Sequence, residues 1–164
     1  MRVLGIDPGT ATIGYGLVQE LPDGSLQAVA YGVITTPASA PMWERLKSIY
    51  GRVRALIDEH RPERASIEEL FFARNVTTAL TVAQGRGVIL LALAEAGLPI
   101  AEYKPNEVKL SIAGYGGAKK PQMQEMIRIL LGLEEIPRPD DAADALAVAI
   151  TDLHSFRYSG NAFD

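Results

Sequence analysis

The 164-residue sequence has no cysteine. That excludes a disulfide framework, thiol catalysis and thiolate metal sites, and it suits a reducing compartment. Histidine is nearly as scarce, limited to His60 and His154, and both read as surface residues without a role. The start of the chain lacks the basic and apolar regions of a signal peptide, so Met1 is expected to begin the mature protein. The longest apolar stretch, Val88 to Ala101, is interrupted by Glu95 and preceded by Arg86. It falls short of the roughly 20 residues that span a bilayer, and the expectation is a soluble, cytoplasmic protein with no membrane partner.

An overall excess of positive charge is also lacking. The formal net charge is −4, whereas nucleic-acid binding usually leaves a basic footprint. The distribution of charge weakens that objection. Between Arg74 and Lys120 stand six basic residues (Arg74, Arg86, Lys104, Lys109, Lys119, Lys120) against three acidic ones (Glu95, Glu102, Glu107). An acidic protein can therefore still present one basic face.

What is present reads as one α/β domain of a size that buries a single core. Arg2 to Ile6 is a short apolar strand ending at the turn Asp7-Pro8-Gly9. Further strands follow at Gly14 to Glu20 and Leu26 to Thr35, separated by the turn Pro22-Asp23-Gly24. In Met42 to His60, Leu46, Ile49, Tyr50, Val53, Leu56 and Ile57 recur at helical spacing, and the helix ends before Pro62. Ala65 to Phe71 reads as a strand, Val76 to Ala96 as a long apolar helix, and Pro99 to Tyr103 as a strand. Gly114 to Pro121 reads as a glycine-rich loop, and Gln122 to Leu131 and Ala142 to Phe156 as helices. The expected architecture is a mixed five-stranded sheet, three antiparallel strands and then parallel βαβ units, flanked by helices. The domain spans 1–158, and 159–164 form a disordered tail.

Four carboxylates stand where folded chains seldom place a charge. Asp7 and Glu68 lie within or at the end of apolar strands, and Asp141 and Asp144 open an alanine-rich helix. Buried carboxylates need partners, and with so little histidine and no cysteine those partners would be hard divalent cations, above all Mg²⁺ or Mn²⁺. Each residue also has a plainer reading. Asp7 could merely open a turn. Glu68 and Glu69 face opposite sides of a strand, so one of them belongs to solvent, and the pattern does not say which. Asp141 and Asp144, three apart, share a helix face at a favourable dipole end, and Asp140 or Asp141 could equally be a cap.

The joint pattern is more specific than its parts. Leu4-Gly5-Ile6-Asp7-Pro8-Gly9-Thr10 with Gly14-Tyr15-Gly16, then Ile67-Glu68-Glu69-Leu70-Phe71, then Asp141-Ala142-Ala143-Asp144-Ala145-Leu146-Ala147, resembles the RuvC family of Holliday-junction resolvases over about residues 1 to 155. The resemblance implies an RNase H-like fold and a homodimer that cuts four-way DNA junctions by paired nicks during recombination and repair. It implies two-metal-ion hydrolysis with two Mg²⁺ per subunit (Mn²⁺ able to substitute), 5′-phosphate products and a modest sequence preference. It also implies work alongside the RuvA and RuvB branch-migration proteins. By motif, the metal ligands would be Asp7, Glu68, Asp141 and Asp144, with Glu68 chosen over Glu69 because the family's glutamate follows the strand isoleucine directly. Some members carry histidine where Asp141 stands, so the set here is all carboxylate.

Other residues suit DNA. Gly114-Tyr115-Gly116-Gly117-Ala118-Lys119-Lys120 joins a flexible backbone to positive charge before a helix, which suits phosphate contact. In the family, lysines matching Lys109 and Lys120 assist cleavage. Phe71, Phe72, Arg74 and Asn75 follow the catalytic strand, and the resemblance gives Phe71 to base stacking at the crossover, leaving Phe72 to the core. The Val76 to Ala96 helix is apolar around much of its circumference, with Gly85 and Gly87 allowing another backbone to approach, which a twofold dimer would use. Three rivals remain on the residues alone. They are an ATP-binding domain of the actin and sugar-kinase superfamily, which needs a longer duplicated fold, the YqgF nucleases, which act on RNA, and a noncatalytic junction-binding module.

Overall fold

In the computed structural model, residues 1–9, 11–69 and 76–160 are described. Five strands, β1 (Arg2–Asp7), β2 (Thr12–Glu20), β3 (Leu26–Thr35), β4 (Arg64–Glu68) and β5 (Ile100–Tyr103), form one sheet in the order β3-β2-β1-β4-β5. β1 runs antiparallel to β2 and parallel to β4, and β2–β3 and β4–β5 are antiparallel and parallel respectively. This is the expected mixed topology, three antiparallel strands extended by parallel βαβ units.

β1 sits at the centre of the sheet and is covered on both faces, so its apolar run is nearly continuous. Leu4 and Ile6 point into a core shared with Ile67 and with α1 (Met42–His60) and α2 (Val76–Glu95), through Ile49, Val53, Ile89 and Leu93. Val3 points to the other face, into a second core with Ile112 of α3 (Pro105–Ala113), Ile127 of α4 (Lys120–Leu130) and Leu146 and Ile150 of α5 (Asp140–Gly160). Alternation along β1 puts Gly5 and Asp7 on the α5 face with Val3.

The long helix α5 is buried almost all round from Ala142 to Leu153. Its alanines make it thin, and the sheet beneath it has no side chains at the critical points. A Cβ at Gly5 would lie 2.2 Å from the Ala145 carbonyl oxygen, and one at Gly14 would lie 1.9 Å from the Asp141 carbonyl oxygen. Gly14 and Gly5 therefore let the helix backbone rest directly on β2 and β1. This explains physically why the Gly14-Tyr15-Gly16 stretch belongs with the acidic motifs.

Several expectations are corrected. α3 was not anticipated: Pro105 starts it, and only Val108 and Ile112 are buried, too short a pattern to stand out. α4 begins two residues earlier than expected, at Lys120, and α5 runs from Asp140 to Gly160, so Asp141 and Asp144 lie inside the helix and Ser159 is helical. β4 ends at Glu68, and Leu70 to Asn75 lie outside the described residues, as do 161–164. The two histidines are not open surface residues. The His60 side chain is 17 % exposed, and the ring Nδ1 of His154 lies 3.0 Å from the Ser111 hydroxyl. Finally, α2 is long and apolar enough, by length and composition, to cross a membrane, because its threonines and glycines barely offset its leucines. Its Ile89, Ala92 and Leu93 are instead spent on the core beneath the sheet.

Gly14→Ala tests the seating of α5. Overpacking of this kind costs about 1–3 kcal/mol, which in a chain of this size corresponds to a fall of about 3–10 °C in Tm. Thermal melts followed by circular dichroism measure it. An unchanged Tm would show that α5 can lift from β2 at no cost.

Candidate metal and nucleic-acid site

β1 and β4 are parallel neighbours, paired Ile6↔Ile67, so Asp7 and Glu68 emerge side by side at their carboxyl ends. The first turn of α5 closes over them because Gly14 leaves its backbone room. One carboxylate oxygen from each of Asp7, Asp141 and Asp144 lies within 4.8 Å of the others. Glu68 is joined to this group by a side-chain hydrogen bond with Asp7. All four residues are partly buried. Glu69 lies beyond the end of β4 and donates its backbone N–H to the Tyr103 carbonyl, 2.8 Å away.

The crowding shows in the acidities. Burial and then the charge of Glu68, with smaller contributions from Asp144 and Asp141, push the Asp7 carboxyl up to about 8. Burial also raises Glu68, opposed by its hydrogen bond with Asp7 and the charge of Lys109. Asp144 is raised to about 6, again mainly by burial, with Lys120 pulling the other way. Four carboxylates gathered at one place, three of them with raised acidities and no nitrogen or sulfur donor among them, match the needs of a hard divalent cation. The N-terminus of α5 adds a favourable dipole for the anionic groups.

A cleft of about 520 Å³ opens beside the carboxylates, lined by Glu68 and Asp144 together with Lys109, Lys119 and Lys120. Lys109 comes from α3, and Lys119 and Lys120 from the start of α4. The structure thus brings these three lysines and the carboxylates to one place. Lys120 Nζ lies 3.0 Å from an Asp140 carboxylate oxygen, and Gln124 donates to the same carboxylate at 3.0 Å. The hydrogen bond that Lys120 itself donates to Asp140, against some desolvation, raises the Lys120 pKa, so Lys120 keeps its charge. Asp140 accepts from side chains and is the first helical residue, not a cap. Gln122 accepts from the Lys119 backbone N–H at 2.9 Å and the Tyr115 hydroxyl at 2.7 Å, holding the glycine-rich loop against α4. Arg86, counted in the basic stretch, is paired with Glu102 at 2.7 Å. Phe71, Arg74 and Asn75 fall outside the described residues.

Sequence reasoning missed the holding roles of Asp140 and Gln122, and it missed an ion pair between Arg64 and Asp152, Nε to Oδ2 at 2.8 Å. The first two could have been sought as acceptors one turn into, or opposite, a lysine-bearing helix start. The last joins residues 88 apart in the chain and leaves no local signal.

Comparison with known proteins agrees with this geometry. The sequence model of the family described as "Crossover junction endodeoxyribonuclease RuvC" matches residues 3–152. A crossover junction endodeoxyribonuclease RuvC of Chloroflexus aurantiacus is 62% identical over 150 residues, covering 92% of this chain and 91% of the relative. The solved structure of Thermus thermophilus RuvC superposes with a TM-score of 0.91 at 38% identity, covering 97% of each chain. T. thermophilus RuvC in complex with Holliday junction substrate gives a TM-score of 0.88 at 36% identity, covering 96% of each. The fold is RNase H-like.

The raised acidities predict a pH signature. A carboxyl that holds its proton more tightly when folded stabilises the fold most below its unfolded pKa, and that contribution is lost as pH rises toward the folded value. For Asp7 the window runs from 3.8 to about 8, and for Asp144 from 3.8 to about 6. In EDTA, Asp7→Asn should therefore gain Tm relative to the unsubstituted protein as pH rises through this window. Mg²⁺ at the upper end should restore the unsubstituted protein more than the variant. Melts across pH, with EDTA or Mg²⁺, check this, and a variant that loses ground as pH rises contradicts it.

Proposed function

The chain belongs to the RuvC family of crossover junction endodeoxyribonucleases, and from that premise we propose that it resolves four-way DNA junctions by paired, symmetric nicks in recombination and repair. The observation that carries the reading is the convergence of Asp7, Asp141 and Asp144 oxygens within 4.8 Å, beside a cleft that Lys109, Lys119 and Lys120 help to line. Anionic backbone and catalytic cation have adjacent places.

Asp7, Glu68, Asp141 and Asp144 would hold two Mg²⁺ ions, or Mn²⁺ in their place. Bound there, such ions would lower the pKa of water and neutralise charge on the leaving oxygen. Lys109 and Lys120 offset the charge of Glu68 and Asp144 respectively, and Lys119, which also lines the cleft, contacts a phosphate. Phe71, Arg74 and Asn75 follow β4 and extend the DNA-binding surface, with Phe71 stacking on bases at the crossover. Residues 1–158 act as a single nuclease domain, in the cytoplasm with the chromosome, in concert with RuvA and RuvB.

A substrate with two equivalent strands calls for two equivalent sites. Helix α2 supports a homodimer. Val76, Leu80 and Leu91 are 70%, 63% and 52% exposed, and with exposed Ala83, Gly87 and Ala94 they form one stripe spaced by fours and threes, the pattern of a helix seam. Gly85 faces Ile49 of α1, while nothing lies within 4 Å of a Cβ at Gly87, so Gly87 is the position open to a partner backbone.

Two experiments test these statements. Labelled four-way junction, matched duplex and RNA hybrid are incubated with protein, with and without Mg²⁺. Only the junction should be cut, only with Mg²⁺, and Asp7→Asn, Asp141→Asn or Asp144→Asn should abolish cutting while binding stays intact or tightens. Junction affinity lost in proportion to cleavage would assign the carboxylates to structure. Separately, Leu80→Glu should convert dimer to monomer in sedimentation velocity with little change in Tm. A dimer that persists would place the interface elsewhere.

A further inference from the structure

Alternate residues of β4 face α5, and each finds a partner there. Arg64 donates through Nε to Asp152 Oδ2 at 2.8 Å and through Nη2 to Oδ1 at 3.1 Å. Ser66, fully buried, donates its hydroxyl to the Val148 carbonyl at 3.1 Å. Glu68 and Asp144 both line the cleft, close enough that the charge of Glu68 helps raise the Asp144 carboxyl. The partners on α5 are therefore 152, 148 and 144, one helical turn apart. Four residues of strand span about 13 Å and eight of helix about 12 Å, so the two ladders stay in step from one end to the other.

The lower rung is built more heavily than a casual ion pair. Asp152 is 1% exposed and also accepts from the Tyr103 hydroxyl at 2.8 Å, which brings β5 into the same joint. The Arg64 guanidinium is covered by the Phe156 ring, 5.1 Å from its centroid. None of these groups touches the cleft. Arg64, at the opposite end of β4 from Glu68, meets Asp152 there, and Tyr103, the neighbour of Glu68 across β5, reaches back to the same carboxylate with its hydroxyl.

We propose that Arg64, Ser66 and Asp152 are positioning residues, fixing how far α5 slides along β4 and so the separation at which Asp144 meets Glu68 at the metal site. The need for them is physical. Apolar burial is non-directional, and where Ala145 and Ala149 of α5 rest on Gly5 small groups offer few ridges to stop sliding, while the clustered carboxylates push the helix N-terminus away. A bidentate, buried, charge-assisted pair supplies the direction that packing lacks. This inference rests on the metal-site reading given above.

The test is Mn²⁺ binding by isothermal titration calorimetry on DNA-free protein, with thermal melts in EDTA alongside. Arg64→Met with Asp152→Leu replaces the pair by apolar side chains, an exchange that folds often tolerate. Ser66→Ala is the milder second variant. The double variant should bind Mn²⁺ about tenfold more weakly or worse, the order of loss seen when groups that orient metal ligands are removed. Ser66→Ala should weaken it less, with Tm near that of the unsubstituted protein. A merely structural role would lower Tm and leave the affinity of the folded protein alone. Unchanged affinity in the double variant, or in Ser66→Ala should the double not fold, overturns the proposal. Failure of the underlying reading looks different: the unsubstituted protein would bind Mn²⁺ no better than Asp7→Asn does, and the proposal would fall with it.

Discussion

Asp7, Asp141 and Asp144 are three carboxyl groups, like-charged when ionised, whose oxygens lie within 4.8 Å of one another, and the rest of the structure is arranged to hold them there. Two unit charges about 4 Å apart repel by about 4 kcal/mol at an effective dielectric near 20, so without cations the site works against the fold around it. What opposes the repulsion is the seating of α5. Gly5 and Gly14 remove the side chains that would keep the helix backbone off β1 and β2, and Leu146, Ile150 and Leu153 bury completely against that face. Part of the strain stays in the acidities of Asp7, Glu68 and Asp144, all raised.

An acidic protein that works on a polyanion concentrates its contacts. The net charge of −4 is spread over the whole surface, whereas Lys109, Lys119 and Lys120 line a single cleft. Lys120 also belongs to a small network through Asp140 and Gln124, which orders its side chain before any phosphate arrives. The acidic group beside these lysines would repel DNA if left bare. Cations therefore do two things at once in this reading, making the site hospitable to phosphate and supplying its chemistry.

Much of this was legible in the residues. β3 and α1 were read with their observed bounds, because one is punctuated by clear turn residues and the other has a regular apolar stripe. Gly14-Tyr15-Gly16 could be recognised as part of a pattern, but its reason, close approach of a helix 127 positions later in the case of Gly14 and Asp141, is tertiary. Glu68 and Glu69 could not be told apart by spacing. The fold separates them, since Glu68 shares a face with Ser66 and Arg64 against α5 while Glu69 turns its backbone to Tyr103. α3 escaped notice because two buried residues in nine make no periodicity. The Arg64–Asp152 pair escaped because a salt bridge between distant segments has no sequence signature.

The central claim is that the four carboxylates are cation ligands and not helix caps or turn formers. Anomalous diffraction from crystals grown with Mn²⁺ addresses it without recourse to activity. Two anomalous peaks among Asp7, Glu68, Asp141 and Asp144 are predicted, and both should be lost in crystals of Asp7→Asn. A map with no peak in that group at millimolar Mn²⁺, or with peaks only at other carboxylates, would contradict the account.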